Sequence, residues 1–346
     1  MSDILLDVKN LNIVYSTSDG VVYALNDANL QIKRGETLGL VGETGAGKTT
    51  LARGIMRLIP HPPGEIRSGE IMYEDQDILK LTEKEMRQMR GRQISMIFQD
   101  PMTSLNPVMP VGDQILEVIR NHHPELSKQD AKKQAGDMLE MVGIPAGRYN
   151  DFPHQFSGGM KQRVIIAIAL ACNPQLLIAD EPTTALDVTI QAQVLEMIRN
   201  LKQKNNTSML LITHDLGVVA DMADKIMVMY AGRPVEFGTA EEIFYESCHP
   251  YTWGLIRSIP EQAIDEKKPL TPIHGNPPSL MNLPEGCVFS PRCPYATDKC
   301  RKQRPERVVT ESGHYSACHY SGDPEFLKNA PETSRTRKDS KKGGEA

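Results

Sequence analysis

The run Gly42-Glu43-Thr44-Gly45-Ala46-Gly47-Lys48-Thr49 sets two glycines, a lysine and a threonine at the spacing G-x-x-x-x-G-K-[ST], with a third glycine, Gly45, between the two. Glycines there let the chain turn so that successive backbone N–H groups face inward on a phosphate. A lysine at this point reaches the β and γ oxygens of a nucleoside triphosphate, and the hydroxyl after it ligates Mg²⁺. Such a loop works between a strand and a helix, whose N-terminal dipole adds to the field at the anion. Both are at hand: the apolar run Leu38-Gly39-Leu40-Val41 precedes the loop, and helical periodicity begins near Thr50. Residues Gly42 to Thr50 are therefore the candidate phosphate-binding set.

Hydrolysis needs a metal ligand and a base. The strand-like run Leu176-Leu177-Ile178-Ala179 ends in Asp180-Glu181. Asp180 is placed to hold the Mg²⁺ shell, and Glu181, one position on, to polarise the attacking water as general base. Adjacent acids after a strand could also cap a helix or be solvated; the phosphate loop upstream favours the catalytic role.

The elements that must position these residues alternate in type. Antiparallel strands are expected over Leu5–Tyr15 and Val21–Lys33, then buried strands at Leu38–Val41, Ser95–Phe98, Leu176–Ala179 and Met209–Ile212, and a last pair in Ile226–Tyr230 and Pro234–Phe237. Strands separated by helices imply an α/β fold with a mostly parallel sheet and active residues at the strands' carboxyl ends. Residues 100–165 carry helical spacing at Ile115, Val118 and Ile119, then Met138, Leu139 and Val142, and read as an inserted helical subdomain. After about residue 248, prolines such as Pro250, Pro260, Pro269 and Pro272 exclude long helices. Residues 323–346, including the basic and hydroxylic run Arg335–Lys342, read as a disordered, solvated tail.

Composition bounds the class. The 346 residues suffice for one large core and an appendage, and 40% apolar against 24% charged residues is an ordinary globular balance. A net charge of −5 and the lack of a long basic stripe before the C-terminus argue against nucleic acid as a partner. The longest apolar run, Val164–Cys172, is nine residues, against the ~20 a membrane helix needs. The start Met1-Ser2-Asp3-Ile4 has no secretory pattern, so a reducing compartment is expected and the six cysteines are not expected to form disulfides. Cys172 and Cys248 stand alone, whereas Cys287, Cys293, Cys300 and Cys318 cluster, which points to a metal site.

Phe156-Ser157-Gly158-Gly159-Met160-Lys161-Gln162 resembles the signature of ATP-binding-cassette proteins, L-S-G-G-Q, with Phe and Met in place of Leu and Gln. Gln99 after its strand, Ala185-Leu186-Asp187 after Glu181, and His214 in Thr213-His214-Asp215 complete the family's motifs in the family's order. The resemblance implies a P-loop cassette over residues 1–250: a mixed sheet with an antiparallel β subdomain and the helical subdomain. It implies that Gln99 joins the Mg²⁺ site and senses the γ-phosphate and the membrane partner. His214 would contact the γ-phosphate and orient the water of Glu181, and Asp187 would communicate across a dimer interface. Ser157, Gly158 and Gly159 would complete a nucleotide site on an opposing cassette. Tyr15, with Tyr23 as the weaker candidate, would stack on adenine.

Within that family, Gln99-Asp100-Pro101-Met102-Thr103-Ser104-Leu105-Asn106-Pro107, His249-Pro250-Tyr251-Thr252, Gly275-Asn276-Pro277-Pro278 and the cysteine-rich segment resemble the dipeptide/oligopeptide and nickel importer branch. This implies an ATPase, peripheral at the cytoplasmic face of the cell membrane, that powers import of di- or oligopeptides. Its implied partners are a second homologous cassette in a heterodimer, two transmembrane permease subunits and, indirectly, an extracytoplasmic solute-binding protein. Import of another solute such as nickel, and a soluble cassette without a transport role, remain the alternatives. Residues 251–322 would be the branch's loop-rich extension.

The four cysteines follow C-x5-C-x6-C-x17-C. Zinc ribbons use paired C-x2–4-C ligands, whereas irregular thiolates suit an iron–sulfur cluster held by loops. Resemblance to peptide-importer ATPases, some of which carry a cluster there, sets [4Fe–4S] above Zn²⁺; four unligated thiols are the third reading. His314 and His319 flank the last cysteine. So short a segment, poor in apolar residues, is expected to need a metal staple to fold.

Overall fold

The computed structural model describes residues 3–99, 104–184, 186–259 and 272–331. Asp100–Thr103, Ala185, Pro260, Pro269 and the run Arg335–Lys342 lie outside the described residues. The chain divides into two units. One comprises Met1–Leu6, Gln31–Thr37 and Met72–Ile212, the other Asp7–Leu30, Leu38–Ile71 and Thr213–Ala346.

Strands β1 (Ile4–Thr17) and β2 (Gly20–Lys33) mix buried and exposed positions, as a sheet with one wet face does. Strand β3 (Thr37–Val41) is buried throughout, the mark of a strand covered on both faces, and leads to helix α1 (Lys48–Ile55). Strand β4 (Gly64–Tyr73), which lies beside β1, and the short β5 (Gln76–Asp77) were not anticipated. Gly64-Glu65-Ile66-Arg67-Ser68-Gly69-Glu70 is too polar and too rich in glycine to show a period of two. Helix α2 (Glu83–Met89) opens on a Thr82/Glu85 capping box, and β6 (Ile94–Ile97) follows.

In the first unit come α3 (Val111–His122), α4 (Lys128–Met141) and α5 (Gly158–Leu170). Ile115, Ile119, Met138 and Leu139 are buried where the helical spacing expected them. Strand β7 (Leu176–Asp180), helix α6 (Val188–Asn205) and strand β8 (Ser208–Ile212) complete the unit. β7 runs parallel to β6 (Ile94↔Leu176) and to β8 (Leu176↔Ser208), and both β7 and β8 are buried at every position. Gln99 and Glu181 therefore leave the same edge of this sheet, at the carboxyl ends of β6 and β7.

The second unit adds α7 (Leu216–Met222), β9 (Lys225–Tyr230), β10 (Arg233–Thr239), α8 (Ala240–Tyr245) and α9 (Pro250–Arg257). The later elements are short: α10 (Asp298–Lys302), β11 (Val308–Val309), β12 (Tyr315–Ser316) and α11 (Pro324–Leu327). β3 pairs parallel with β9, and β9 turns into β10 through Ala231 and Gly232, whose φ of 47° and 77° make the primed hairpin turn that matches strand twist. β12 then pairs with β10 through Glu236↔Ser316, so the extension continues a cassette sheet.

One expectation is given a context and another is corrected. Tyr251, Val288 and Phe289 pack into one core with Val41, Val228 and Tyr230, so the extension has apolar packing besides any metal staple. Tyr230 and Tyr251 have centroids 4.6 Å apart, and Phe289 stands edge-on to Tyr230 at 5.2 Å. Residues 323–331 are not tail: Asp323 caps α11, and Phe326 packs on the fully buried Trp253 with ring centroids 5.3 Å apart. One aromatic anchor offsets a polar composition there. Among the described residues no helix is long and apolar enough to cross a membrane.

Candidate functional site

The phosphate loop is shaped by what glycine alone permits. Gly42 and Gly47 adopt φ of 148° and 98°. A Cβ on Gly42 would stand 2.2 Å from the Met229 carbonyl oxygen, and one on Gly47 2.5 Å from that of Ala24. Ala46 and Lys48 are buried, Thr49 and Thr50 half-buried, Thr44 and Gly45 exposed. The Lys48 ammonium donates to the carbonyls of Gly42 at 2.6 Å and Glu43 at 3.1 Å, which holds it inside the loop. Helix α1 starts at Gly47 with no side-chain cap and no acid in its first turn, an arrangement that suits an anion at its amides. Loop, lysine and helix start thus fit a nucleotide phosphate chain.

The extension grips this loop, which sequence reasoning missed. Arg292, its side chain 4% exposed, makes a two-pronged ion pair with Glu43, at 2.6 and 3.0 Å. It also donates to the carbonyls of Ile273 and His274. The Glu43 amide donates to the Tyr251 hydroxyl at 2.8 Å. Burial pushes the Tyr251 phenol well above its ordinary range, so it stays a neutral acceptor here. Tyr251 stands in a motif singled out above, whereas nothing in the sequence distinguishes Arg292.

In the first unit, Asp180 ends β7 at 1% exposure and Glu181 follows in the left-handed region, φ 51°. That conformation costs a non-glycine residue roughly 1–2 kcal/mol and is tolerated where the surroundings impose it. Here the Glu181 amide donates to Ile212 at 2.8 Å, and its carboxylate accepts from Thr184 at 2.9 Å and from Gln99 at 3.4 Å. Gln99 and Glu181 are thereby brought together. Ser157 caps α5 by accepting from the Met160 amide, and Asp187 caps α6 by accepting from that of Ile190. A Cβ on Gly159 would lie 2.6 Å from the Ile190 side chain, while Gly158 has open space around it. Buried Gln162, also missed, donates to the Pro182 carbonyl and ties the first turns of α5 to the loop after Glu181.

In the second unit, His214 is exposed directly before Asp215, which caps α7. Tyr15 is half-buried near the end of β1, and a Cβ on Gly64 would meet its ring at 2.9 Å.

All four clustered cysteines line a single cavity, together with His249, His319 and Tyr295. The Cys287 amide donates to the Cys300 carbonyl at 2.8 Å. His319 is engaged with the Gln303 carbonyl, and His314 turns instead to Glu236. Burial, reinforced by the neighbouring thiols, pushes Cys293 up to about 11 and Cys318 up to about 12, and raises Cys287. Such thiols lose their protons when a cation compensates the charge. Among the described residues, the group of three or more donors lying within 4.8 Å of one another is Glu236, Cys248 and His314, and it contains none of these four thiols.

Comparison with known proteins places this geometry. The family described as ABC transporter matches residues 25–184, and the oligopeptide/dipeptide transporter C-terminal region matches residues 235–300. The chain is 54% identical over 313 residues to the oligopeptide transport ATP-binding protein OppD of Bacillus subtilis (strain 168), covering 90% of this chain and 87% of that one. It is 47% identical over 316 residues to the dipeptide transport ATP-binding protein DppD of the same organism, covering 91% and 94%. Among solved structures, the ATP-binding cassette MJ0796 in a dimeric post-hydrolysis state bound to ADP and Pi superposes with a TM-score of 0.62 at 27% identity, over 68% of this chain and 98% of that one. With both family regions matched and relatives of this identity covered almost end to end, the chain belongs to the ATP-binding-cassette transporter family, as an ATPase of the branch that bears the oligopeptide/dipeptide transporter C-terminal region.

Proposed function

We propose that this chain hydrolyses ATP to power import of di- and oligopeptides, at the cytoplasmic face of the membrane. The observation that carries the reading is the identity to oligopeptide and dipeptide transport ATP-binding proteins, which runs through cassette and extension alike. Its partners are a second homologous cassette in a heterodimer, two permease subunits and, through them, a solute-binding protein. The cassette ends near residue 250, with the helical subdomain at about 100–165 inside it and the extension at 251–322.

Within each site, Gly42 to Thr50 wrap the phosphates and Lys48 neutralises the β and γ oxygens. Thr49, Gln99 and Asp180 serve Mg²⁺, and Tyr15 stacks on adenine. Glu181 accepts the proton of the water whose oxygen bonds to the γ-phosphorus as the bond to ADP breaks; His214 orients that water. Ser157, Gly158 and Gly159 close over the partner cassette's nucleotide, with Asp187 at the interface. Vesicles holding the complete transporter test this: ATP-driven uptake of a labelled dipeptide is expected, and uptake of nickel in its place overturns the peptide reading.

For the cavity lined by Cys287, Cys293, Cys300 and Cys318 the proposed occupant is a [4Fe–4S] cluster with a structural or redox-sensing role. Four thiolates on one Zn²⁺ at 2.3 Å would lie about 3.8 Å apart, whereas no three of these four thiols are grouped within 4.8 Å of one another. Anaerobically purified protein is expected to contain iron and acid-labile sulfide, both lost in Cys293→Ser. Stoichiometric zinc without iron overturns the cluster.

A further inference from the structure

A cavity of about 480 Å³ lies in the second unit, within the size range of small-molecule sites. None of the phosphate-loop residues Gly42 to Thr50 lines it. Its walls come from three stretches of chain: Asn26 and Asp27 on β2, Arg233 to Val235 at the start of β10, and extension residues around Cys287 and Arg304–Arg307. Pro234, Val235, Val288 and Ala317 supply apolar surface, while three arginines and two acids supply charge.

The charges are not matched. Arg307 is spoken for: it donates to the Asp27 carbonyl at 2.7 Å and to its carboxylate at 3.1 Å. Arg304 is exposed at the rim. Arg233 is the exception, for its Nε is buried and has no acceptor. A buried guanidinium N–H left unpaired costs more than a neutral one, so the position is unfavourable unless an acceptor arrives. Burial, with the positive charge of Arg304 added, pushes Arg233 down to about 10. With Arg307 paired to Asp27, the positive charges of Arg233 and Arg304 remain to favour an anion.

We propose that this cavity binds a small organic anion whose phosphate or carboxylate group is received by Arg233, with Arg304 and Arg307 at the mouth. Both groups present the paired oxygens that a planar guanidinium fork meets in two places, and the apolar surface takes the rest of the molecule. Because the walls join β2 and β10 to the extension, the bound anion fastens the extension to the cassette. Any ligand that prefers the folded state stabilises it by mass action, so occupancy raises the unfolding midpoint.

The test uses the full chain carrying Lys48→Ala, so that the phosphate loop does not compete. Calorimetric titration with inorganic pyrophosphate and with succinate separates the two acid classes. At least one is expected to saturate at one per chain, to bind more weakly as salt rises, and to shift the urea midpoint upward. Arg233→Met is expected to weaken that binding by about tenfold or more, the loss of one charge-assisted pair. Arg304→Met, at an exposed side chain where folding is not at stake, is expected to weaken it in the same direction. Saturation by pyrophosphate alone identifies a phosphorylated ligand, and by succinate alone a carboxylate. Two results overturn the proposal: neither probe saturates up to about 10 mM, or both arginine variants bind as the parent does.

Discussion

Arg292→Met removes the guanidinium that holds Glu43 but keeps most of the side chain's length. The pair closes at 2.6 and 3.0 Å with Arg292 4% exposed and Glu43 29% exposed. The variant also takes a donor from the carbonyls of Ile273 and His274. Breaking a fully buried ion pair costs roughly 3–5 kcal/mol, because the abandoned charge stays desolvated. Solvent reaches Glu43 in part, which lowers the expected loss to about 2–3 kcal/mol, read as a fall in urea midpoint at unchanged slope. Nucleotide binding changes separately. With its side-chain anchor gone, Glu43 must be ordered when ATP arrives, at about 1–2 kcal/mol per residue, so the ATP Kd rises roughly 5–30-fold. Glu43→Gln added to Arg292→Met removes the stranded charge and is expected to restore part of the lost stability. A single variant with unchanged midpoint and unchanged ATP affinity, or a double variant no more stable than the single, would refute the clamp.

Glu181→Gln is expected to keep ATP binding while steady-state hydrolysis falls by about a hundredfold or more, since the amide preserves shape without a base; turnover near the parent rate removes Glu181 from catalysis. Ser157→Arg puts a bulky cation where the partner's phosphate would sit, and sedimentation should show ATP-driven pairing lost while ATP binding to this chain persists. His314 tests the pH dependence of the extension. Burial, the largest single influence, opposes its charge, but the hydrogen bond to Glu236 at 3.1 Å and the negative charges of Glu236, Glu242 and Glu246 together outweigh it and raise its pKa above 6.5. A raised pKa means the contribution is complete below 6.5 and fades as pH climbs through the folded-state value. The urea midpoint should therefore decline from pH 6.5 upward, more steeply in the parent than in His314→Gln.

How far such residues can be read in advance depends on how they act. The phosphate loop works through consecutive amides, so its glycines, lysine and threonine had to be neighbours, and Gly42 and Gly47 do stand where a Cβ would strike a carbonyl. The Asp180-Glu181 pair was legible for a related reason: β7 is five buried residues, and a buried strand cannot carry acids until it ends. Strand β4 escaped because its alternation is diluted by Glu65, Arg67, Ser68 and Glu70, and its pairing with β1 is a long-range property. Residues 323–331 escaped because composition averages over a window and hides the lone anchor Phe326.

The extension was the least legible part, and the reason is physical. Its four cysteines announce themselves, but the apolar residues that seat it, Tyr251, Val288 and Phe289, are few and scattered among prolines, too sparse to suggest a core. They need not form one alone, since Tyr230 and Val228 of β9 supply the other half. The same holds for Arg292, whose partner Glu43 lies 249 positions earlier. An arginine in a proline-rich loop is ordinarily solvated; only the docking of Phe289 beside Tyr230 brings it to 4% exposure against the phosphate loop. Packing thus comes before the ion pair in the chain of causes. Phe289→Ala should on this account release both, costing the 3–5 kcal/mol of a lost core aromatic and loosening ATP binding as Arg292→Met does. A Phe289→Ala protein that loses stability but binds ATP at full affinity would show that the loop holds its shape without the extension.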